Sequence, residues 1–365
     1  MSFTVTDHQH MAHALRLAER GLYTTHPNPR VGCVIAHGDE VVGSGWHQRA
    51  GEPHAEVFAL REAGGSARGA TAYVTLEPCA HHGRTPPCAD ALVAAGVARV
   101  VIAAEDPFPQ VAGRGIEKLR AAGIAVDTGL LRDQARELNI GFFSRIERGR
   151  PFVRVKLAMS LDGRTALANG ESKWITSEPA RADVQRWRAR SSAILTGSGT
   201  VLADNPRLTV RLPQDEAFAP PLRVVLDRCL RTPAGSHVLD GSAPTLLLHG
   251  AEAIADGEYF DHVEHVAVAE RDGALDLPAV LALLAKRDVN ELHVEAGARL
   301  GGALLAGGWA DELLLYVAPV LLGDQARPLL ALPPLASMAE RWKLAVIEQR
   351  QVGADWRLRL RPQPA

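Results

Sequence analysis

The sequence predicts two α/β domains in tandem, and three features of it say so. The chain has 365 residues, beyond the roughly 250–300 at which a single hydrophobic core stops growing. Short apolar strands alternate with amphipathic helices, the pattern that buries both faces of a sheet containing parallel strands. The alternation breaks at Arg145-Ile146-Glu147-Arg148-Gly149-Arg150-Pro151, a short polar stretch with Gly and Pro, and then restarts. Domains of residues 1–146 and 150–365 are expected.

The first helix is expected over residues 10–19, where Met11, Ala14, Leu15 and Ala18 recur at helical spacing before Gly21. His26-Pro27-Asn28-Pro29 must be an extended loop, because each proline biases its predecessor away from helix. Residues 31–35 and 40–43 read as strands around the turn His37-Gly38-Asp39. A helix over 54–63, a strand over 72–76 and a helix beginning near Pro86-Pro87-Cys88 follow. A strand over 99–103, a helix over 116–122 and a strand over 124–126 complete the first half. In the second half, strands are expected at 152–157, 193–195, 223–226, 245–248, 263–268, 291–294 and 312–317. The arginine-rich segment 181–190 reads as a helix, and 343–349 with 356–360 as a hairpin about Gly353. Pro213, Pro220 and Pro221 mark an exposed loop.

Composition narrows the function. Apolar residues make up 47% and charged residues 22%, and the net charge is −2. A soluble globular protein is expected, without the basic field that a nucleic-acid partner requires. No uncharged apolar run approaches a membrane span, and the N-terminus lacks the pattern of a signal peptide, so a cytoplasmic location is expected. Four cysteines, Cys33, Cys79, Cys88 and Cys229, suggest a metal site or buried thiols rather than a disulfide framework.

His54-Ala55-Glu56, Pro78-Cys79 and Cys88 carry the sharpest chemistry. One imidazole and two thiolates hold zinc with a fourth position open for water, and the metal lowers that water's pKa. A carboxylate that is not a ligand must then move protons, the task of Glu in a His-x-Glu motif. Zn2+ held by His54, Cys79 and Cys88, with Glu56 as acid/base, is the reading these types support. Cys88 at a helix start would gain thiolate character from the helix dipole. The loop Ala80-His81-His82-Gly83-Arg84-Thr85-Pro86-Pro87 is expected to bulge and shape the pocket. A closed structural zinc using His81 or His82 is the alternative, but it leaves Glu56 without a task.

Together with Thr25-His26-Pro27-Asn28-Pro29-Arg30-Val31-Gly32-Cys33-Val34 and the run from Glu77-Pro78-Cys79 to Cys88, these motifs resemble the bifunctional riboflavin-biosynthesis deaminase/reductases. The resemblance implies a cytidine-deaminase-like three-layer α/β/α domain followed by a dihydrofolate-reductase-like α/β domain. It implies hydrolytic deamination of 2,5-diamino-6-ribosylamino-4(3H)-pyrimidinone 5′-phosphate, a small phosphorylated pyrimidine, with Asn28 near the ring. NADPH-dependent reduction of the ribosyl group to ribityl, and a homo-oligomer, are also implied. Asp106-Pro107-Phe108-Pro109 departs from the pattern, with Phe108 where a polar Asn is expected.

In the second half, Glu295-Ala296-Gly297-Ala298-Arg299-Leu300-Gly301-Gly302-Ala303 follows a strand and enters a helix, a turn able to approach a phosphate or simply to pack tightly. The resemblance extends through Lys156-Leu157-Ala158, Ser172-Lys173-Trp174 and Thr200 to Arg211. It implies NADPH contacts at Ala158, Trp174, Thr200, Asp204, Arg228, Gly297, Ala298, Arg299, Leu300, Gly301, Gly302 and Ala303. Substrate contacts are implied at Ser172, Arg188, Leu208, Arg211 and Glu295. Lys156 or Glu295 would donate the proton that accompanies hydride transfer, and Arg188 and Arg211 would hold the phosphate. Bland alternatives are a strand-edge lysine for Lys156, solvated charge for Arg188 and core packing for Trp174.

Overall fold

The chain divides into two units, Met1–Gly149 and Arg150–Ala365, at the polar stretch where the alternation restarts. The computed structural model describes residues 3–80, 87–109, 111–254 and 263–363.

In the first unit, α1 (Val5–Glu19) starts on a capping box between Thr4 and Asp7. It is followed by β1 (Gly32–His37), β2 (Glu40–Trp46), α2 (Ala55–Ala63), β3 (Thr71–Leu76) and α3 (Cys88–Ala95). Then come β4 (Arg99–Ala104), α4 (Arg114–Ala121), β5 (Ala125–Thr128), α5 (Arg132–Leu138) and α6 (Ile140–Arg148). The sheet order is β2-β1-β3-β4-β5. β1 runs antiparallel to β2 and β3, whereas β3, β4 and β5 are parallel. One face packs Met11, Ala14, Ala135, Phe142 and Phe143; the other packs Ala55, Ala59, Leu92 and Leu119. Two helical layers therefore enclose one sheet. Seating α2 requires glycine in β2: a Cβ on Gly43 would lie 2.2 Å from the Ala59 carbonyl oxygen, and one on Gly45 2.5 Å from that of Ala55. The helices α5 and α6 were not anticipated by periodicity. α5 buries only Ala135 and, Leu138 apart, is otherwise polar over its seven residues, too little for a helical stripe to show.

In the second unit, β6 (Phe152–Ser160), α7 (Glu178–Arg190), β7 (Ala193–Gly197), α8 (Ser198–Asp204), β8 (Leu222–Leu226) and β9 (Thr245–Gly250) are followed by β10 (Glu264–Val268), α9 (Leu277–Lys286), β11 (Glu291–Val294), α10 (Ala298–Ala306), β12 (Glu312–Ala318), β13 (Leu344–Val352) and β14 (Asp355–Pro362). They build a nine-stranded sheet in the order β10-β9-β8-β7-β11-β6-β12-β14-β13. The first seven are parallel, and the expected hairpin adds β14 and β13 antiparallel at one end. β6 lies inside the sheet, so Lys156 is not an edge lysine.

Alternation along β6 separates two environments. Val153, Val155 and Leu157 join the large apolar core with α9 and α10. Arg154 faces the other way, fully buried, with Nη1 3.0 Å from Glu291 and Nε 2.7 Å from Glu312. Arg190 also pairs with Glu291, and Arg359 with Glu312, while Trp187 on α7 covers the Arg154 guanidinium at 4.6 Å. Burial raises the Glu312 carboxyl, but Arg154 and Arg359 outweigh it and hold the group down at about 2.

Arg154→Met should lower unfolding free energy by about 3–5 kcal/mol in denaturant titrations, because it strands buried carboxylates. Glu312 has a folded pKa below its ordinary 4.5, so its stabilisation is full above that value and is lost as pH falls towards about 2. Acid titration of stability should be steep across that window and shallower in Glu312→Gln.

Candidate active sites

The first site gathers where β3 ends and α2 and α3 begin. His54 is the N-cap of α2 in extended backbone, and its side chain makes no capping bond, which leaves the imidazole for other work. Its Nδ1 lies 3.2 Å from Cys88 Sγ and 3.6 Å from Cys79 Sγ. The ligand atoms of His54, Cys79 and Cys88 all lie within 4.8 Å of one another. Tetrahedral zinc, with bonds of about 2.0 Å to nitrogen and 2.3 Å to sulfur, sets N···S near 3.5 Å, so the donor set fits that ion.

Cys88 opens α3, and its backbone N–H points at Cys79 Sγ, 3.3 Å away. The helix start therefore also supports the Cys79 thiolate. Hydrogen bonding from Cys88 leads in lowering the Cys79 thiol to about 4, with His54 adding to it, and the same hydrogen bond drives Cys88 far up. Two thiolates at this distance require a cation between them.

Glu56, in the first turn of α2, is 3% exposed, and its Oε2 has no partner among the described residues. Burial raises its pKa, with the nearby Cys79 adding to the rise. A buried carboxyl with one oxygen free of protein partners and inclined to hold a proton suits a shuttle.

Asn28 donates from Nδ2 to His47 Nε2 at 3.0 Å. His47, in turn, contacts the Pro53 carbonyl oxygen through Nδ1 and stands edge-on to the His54 ring at 5.4 Å. No spacing rule singled out His47, which lies just past β2. Glu77 was also missed as an organiser: its carboxylate accepts the backbone N–H groups of Asp106, Gly113, Gly115 and Ile116. The Phe108 N–H closes on Asp106 Oδ1 at 2.8 Å, a turn that uses only the main chain of residue 108 and is indifferent to its side chain. Burial pushes the Asp106 carboxyl up to about 6. The loop expected to bulge between the cysteines falls largely at 81–86, outside the described residues, as do His81 and His82.

The second site lies at the carboxyl ends of parallel strands, where open α/β sheets bind ligands. Glu295, just past β11, receives Arg188 Nε at 2.5 Å and Nη2 at 2.9 Å. Arg188 Nη1 donates to the Thr209 carbonyl oxygen. Arg188 is buried, neither solvated charge nor a free phosphate cation; its guanidinium is spent on Glu295. Although burial opposes it, Arg188 holds the Glu295 carboxyl well below the usual range. Glu295 is thereby unsuited to donate a proton. Desolvation lowers the Lys156 ammonium, with Glu295 opposing the shift.

The remaining positions divide. Trp174 is 70% exposed with Arg181 4.6 Å over its ring, so it is not core. Ala158 lies on β6 opposite Tyr316, Ser172 is partly buried in the stretch before α7, and Thr200 and Asp204 lie on α8. Leu208 is a core residue with left-handed backbone at φ 51°, so a substrate contact there would use its main chain. Arg211 is exposed, and its guanidinium has no partner among the described residues. Arg228 is paired with Glu270 at 3.2 Å, which offsets its charge. Gly297 caps α10, and Ala298, Arg299 and Leu300 form its first turn. Gly301 and Gly302 face inward: a Cβ on Gly302 would lie 2.1 Å from the Ala331 carbonyl oxygen. They serve packing, as Ala303 on the exposed side does not.

Comparison with known proteins now bears on both units. Residues 151–357 match the family described as RibD C-terminal domain, and residues 4–104 match the cytidine and deoxycytidylate deaminase zinc-binding region. The riboflavin biosynthesis protein RibD of Escherichia coli (strain K12) is 52% identical, covering 96% of this chain and 97% of the relative. The chain belongs to the RibD family. It is accordingly a bifunctional deaminase and reductase of riboflavin biosynthesis, with a cytidine-deaminase-like domain preceding the RibD reductase domain. RibD of Haemophilus influenzae is 47% identical over 99% of both chains. Among solved structures, Acinetobacter baumannii RibD matches at a TM-score of 0.92 and 46% identity, covering 98% of this chain and 99% of that one. A Thermotoga maritima diaminohydroxyphosphoribosylaminopyrimidine deaminase/5-amino-6-(5-phosphoribosylamino)uracil reductase matches at 0.88 and 34%, with the same coverage. The family's zinc-binding deaminase region and its reductase domain imply zinc and NADPH. No helix among the described residues is long and apolar enough to cross a membrane.

The lowered Cys79 pKa makes metal removal legible. In chelator-treated protein at pH about 6–7, iodoacetamide should alkylate Cys79 well before Cys88, because the thiolate is the nucleophile. Added zinc should suppress both reactions, read by peptide mass spectrometry.

Proposed function

We propose that the N-terminal unit removes the 2-amino group of 2,5-diamino-6-ribosylamino-4(3H)-pyrimidinone 5′-phosphate. The C-terminal unit then reduces the ribosyl group of the product to ribityl, giving 5-amino-6-ribitylamino-uracil 5′-phosphate. The observation that carries this reading is the buried Glu56, its Oε2 without a partner among the described residues, beside the His54, Cys79 and Cys88 donors. The activities named for the Thermotoga maritima relative agree with it.

One zinc ion would be held by His54, Cys79 and Cys88, and when bound it supplies Lewis acidity that makes water acidic near neutral pH. Glu56 takes the proton of the attacking water and returns it to the departing amine. Asn28 and His47 orient the pyrimidine from one side.

In the second unit, NADPH, the hydride source when bound, would lie against Ala158, Trp174, Thr200, Asp204 and the first turn of α10. Arg299, exposed in that turn, is the better candidate than the paired Arg228 for its 2′-phosphate. Ser172, Glu295 and the Leu208 backbone hold the sugar, and Arg211 holds the substrate phosphate. As hydride reaches C1′ the bond from C1′ to the ring oxygen breaks, and Lys156 protonates that oxygen. Glu295, fixed by Arg188, orients the sugar and keeps Lys156 charged.

Glu56→Gln should cut deamination by about 10²–10⁴-fold while zinc content and reduction of the deaminated intermediate stay unchanged. Loss of zinc, or deamination near the wild-type rate, would refute the shuttle. Lys156→Met should abolish most reduction and spare deamination. Because the Lys156 pKa is lowered from 10.5 and the protonated form is required, the reduction rate should fall as pH rises, with a midpoint below that value.

A further inference from the structure

Asn28, assigned above to the pyrimidine, sits in a stretch without helix or strand between α1 and β1. A side chain 109 positions from Arg30 holds that stretch. Asn139, at the junction of α5 and α6, is 2% exposed. Its Oδ1 accepts the Arg30 backbone N–H at 2.7 Å, and its Nδ2 donates to the Arg30 carbonyl oxygen at 2.9 Å. Bonding both polar groups of one residue is what a neighbouring strand would do. Arg30 Nη1 adds a bond to the Leu138 carbonyl oxygen at 2.7 Å, and Phe142 and Phe143 of α6 share a core with Val31. Two residues upstream, Asn28 donates to His47, whose ring stands against His54. The match to the zinc-binding deaminase region ends at residue 104, so α5 and α6 lie beyond it.

We propose that Asn139 is a positioning residue for deamination. Through Arg30 it ties the loop that presents Asn28 to the junction of α5 and α6. The inference rests on the deaminase reading of the first unit. A buried amide that satisfies both polar groups of Arg30 cannot be replaced by water at equal geometry, so its loss frees the loop rather than the metal.

The test uses the full-length, zinc-loaded chain with the diaminopyrimidine substrate. Asn139→Ala should raise the deaminase KM about tenfold with kcat within about threefold, a loss of uniform binding. Zinc content and reduction of the deaminated intermediate should not change. Asn139→Asp keeps the acceptor but sets an oxygen against the Arg30 carbonyl, and should behave likewise. In an Asn28→Ala background, Asn139→Ala should have little further effect, since the two act through one loop. Additive losses, an unchanged KM, or equal damage to the reductase would overturn the proposal. Amide hydrogen exchange of the wild type supplies a readout independent of turnover. Slow exchange at Arg30 is expected, and exchange as fast as an open loop would overturn it, whether or not the chain deaminates.

Discussion

Two thiols buried beside one imidazole cannot both ionise unless a cation lies between them, and the first unit is arranged around that constraint. Cys79 leaves the end of the β3 strand and Cys88 opens α3, so the distance between the sulfurs depends on how α3 docks on the sheet. His54 reaches them only because Gly43 and Gly45 let α2 sit against β2 without side chains between. Glu77, two residues before Cys79, gathers four backbone N–H groups from the segment after β4. A buried carboxylate so satisfied rigidifies the edge on which Cys79 rests. Metal, helix seating and loop position are thus one mechanical problem.

The second unit applies the same rule to different ends. One face of β6 is apolar, and the other carries Arg154 and then Lys156, each requiring a partner once α7 covers them. Arg154 is answered by Glu291 and Glu312, a structural network. Lys156 is answered only in part, by Glu295, whose carboxylate Arg188 has already claimed. The comparison of Glu56 with Glu295 is instructive. Both are largely buried carboxyls near a reacting centre. Glu56 has no cation bonded to it and drifts towards the protonated form, whereas Glu295 is clamped and stays ionised. Environment alone sets the two carboxyls apart in their readiness to hold a proton.

Much of this was legible in the sequence because it rests on local pattern. Apolar runs in parallel strands, the His-x-Glu step and the cysteines are written within short windows, and the strands of both sheets appear close to where periodicity set them. What was not legible is the pairing of distant polar groups. Nothing near Arg188 in the chain points to Glu295, the carboxylate that it clamps. His47, Glu77 and Asn139 each act across the fold, and single polar residues in a sequence look alike until folding shows what they face. Helix α5 escaped notice because it buries one alanine, and nothing in the local pattern showed that Ala331 packs against Gly302.

The most direct measurement follows products from the zinc-loaded wild-type chain given the diamino-ribosylaminopyrimidinone phosphate, first without and then with NADPH. One equivalent of ammonia released without NADPH, with the ribosyl group intact, followed by conversion to the ribityl product only when NADPH is added, is the result the account predicts. No ammonia from zinc-replete protein, or NADPH consumption that is indifferent to the pyrimidine, would contradict it.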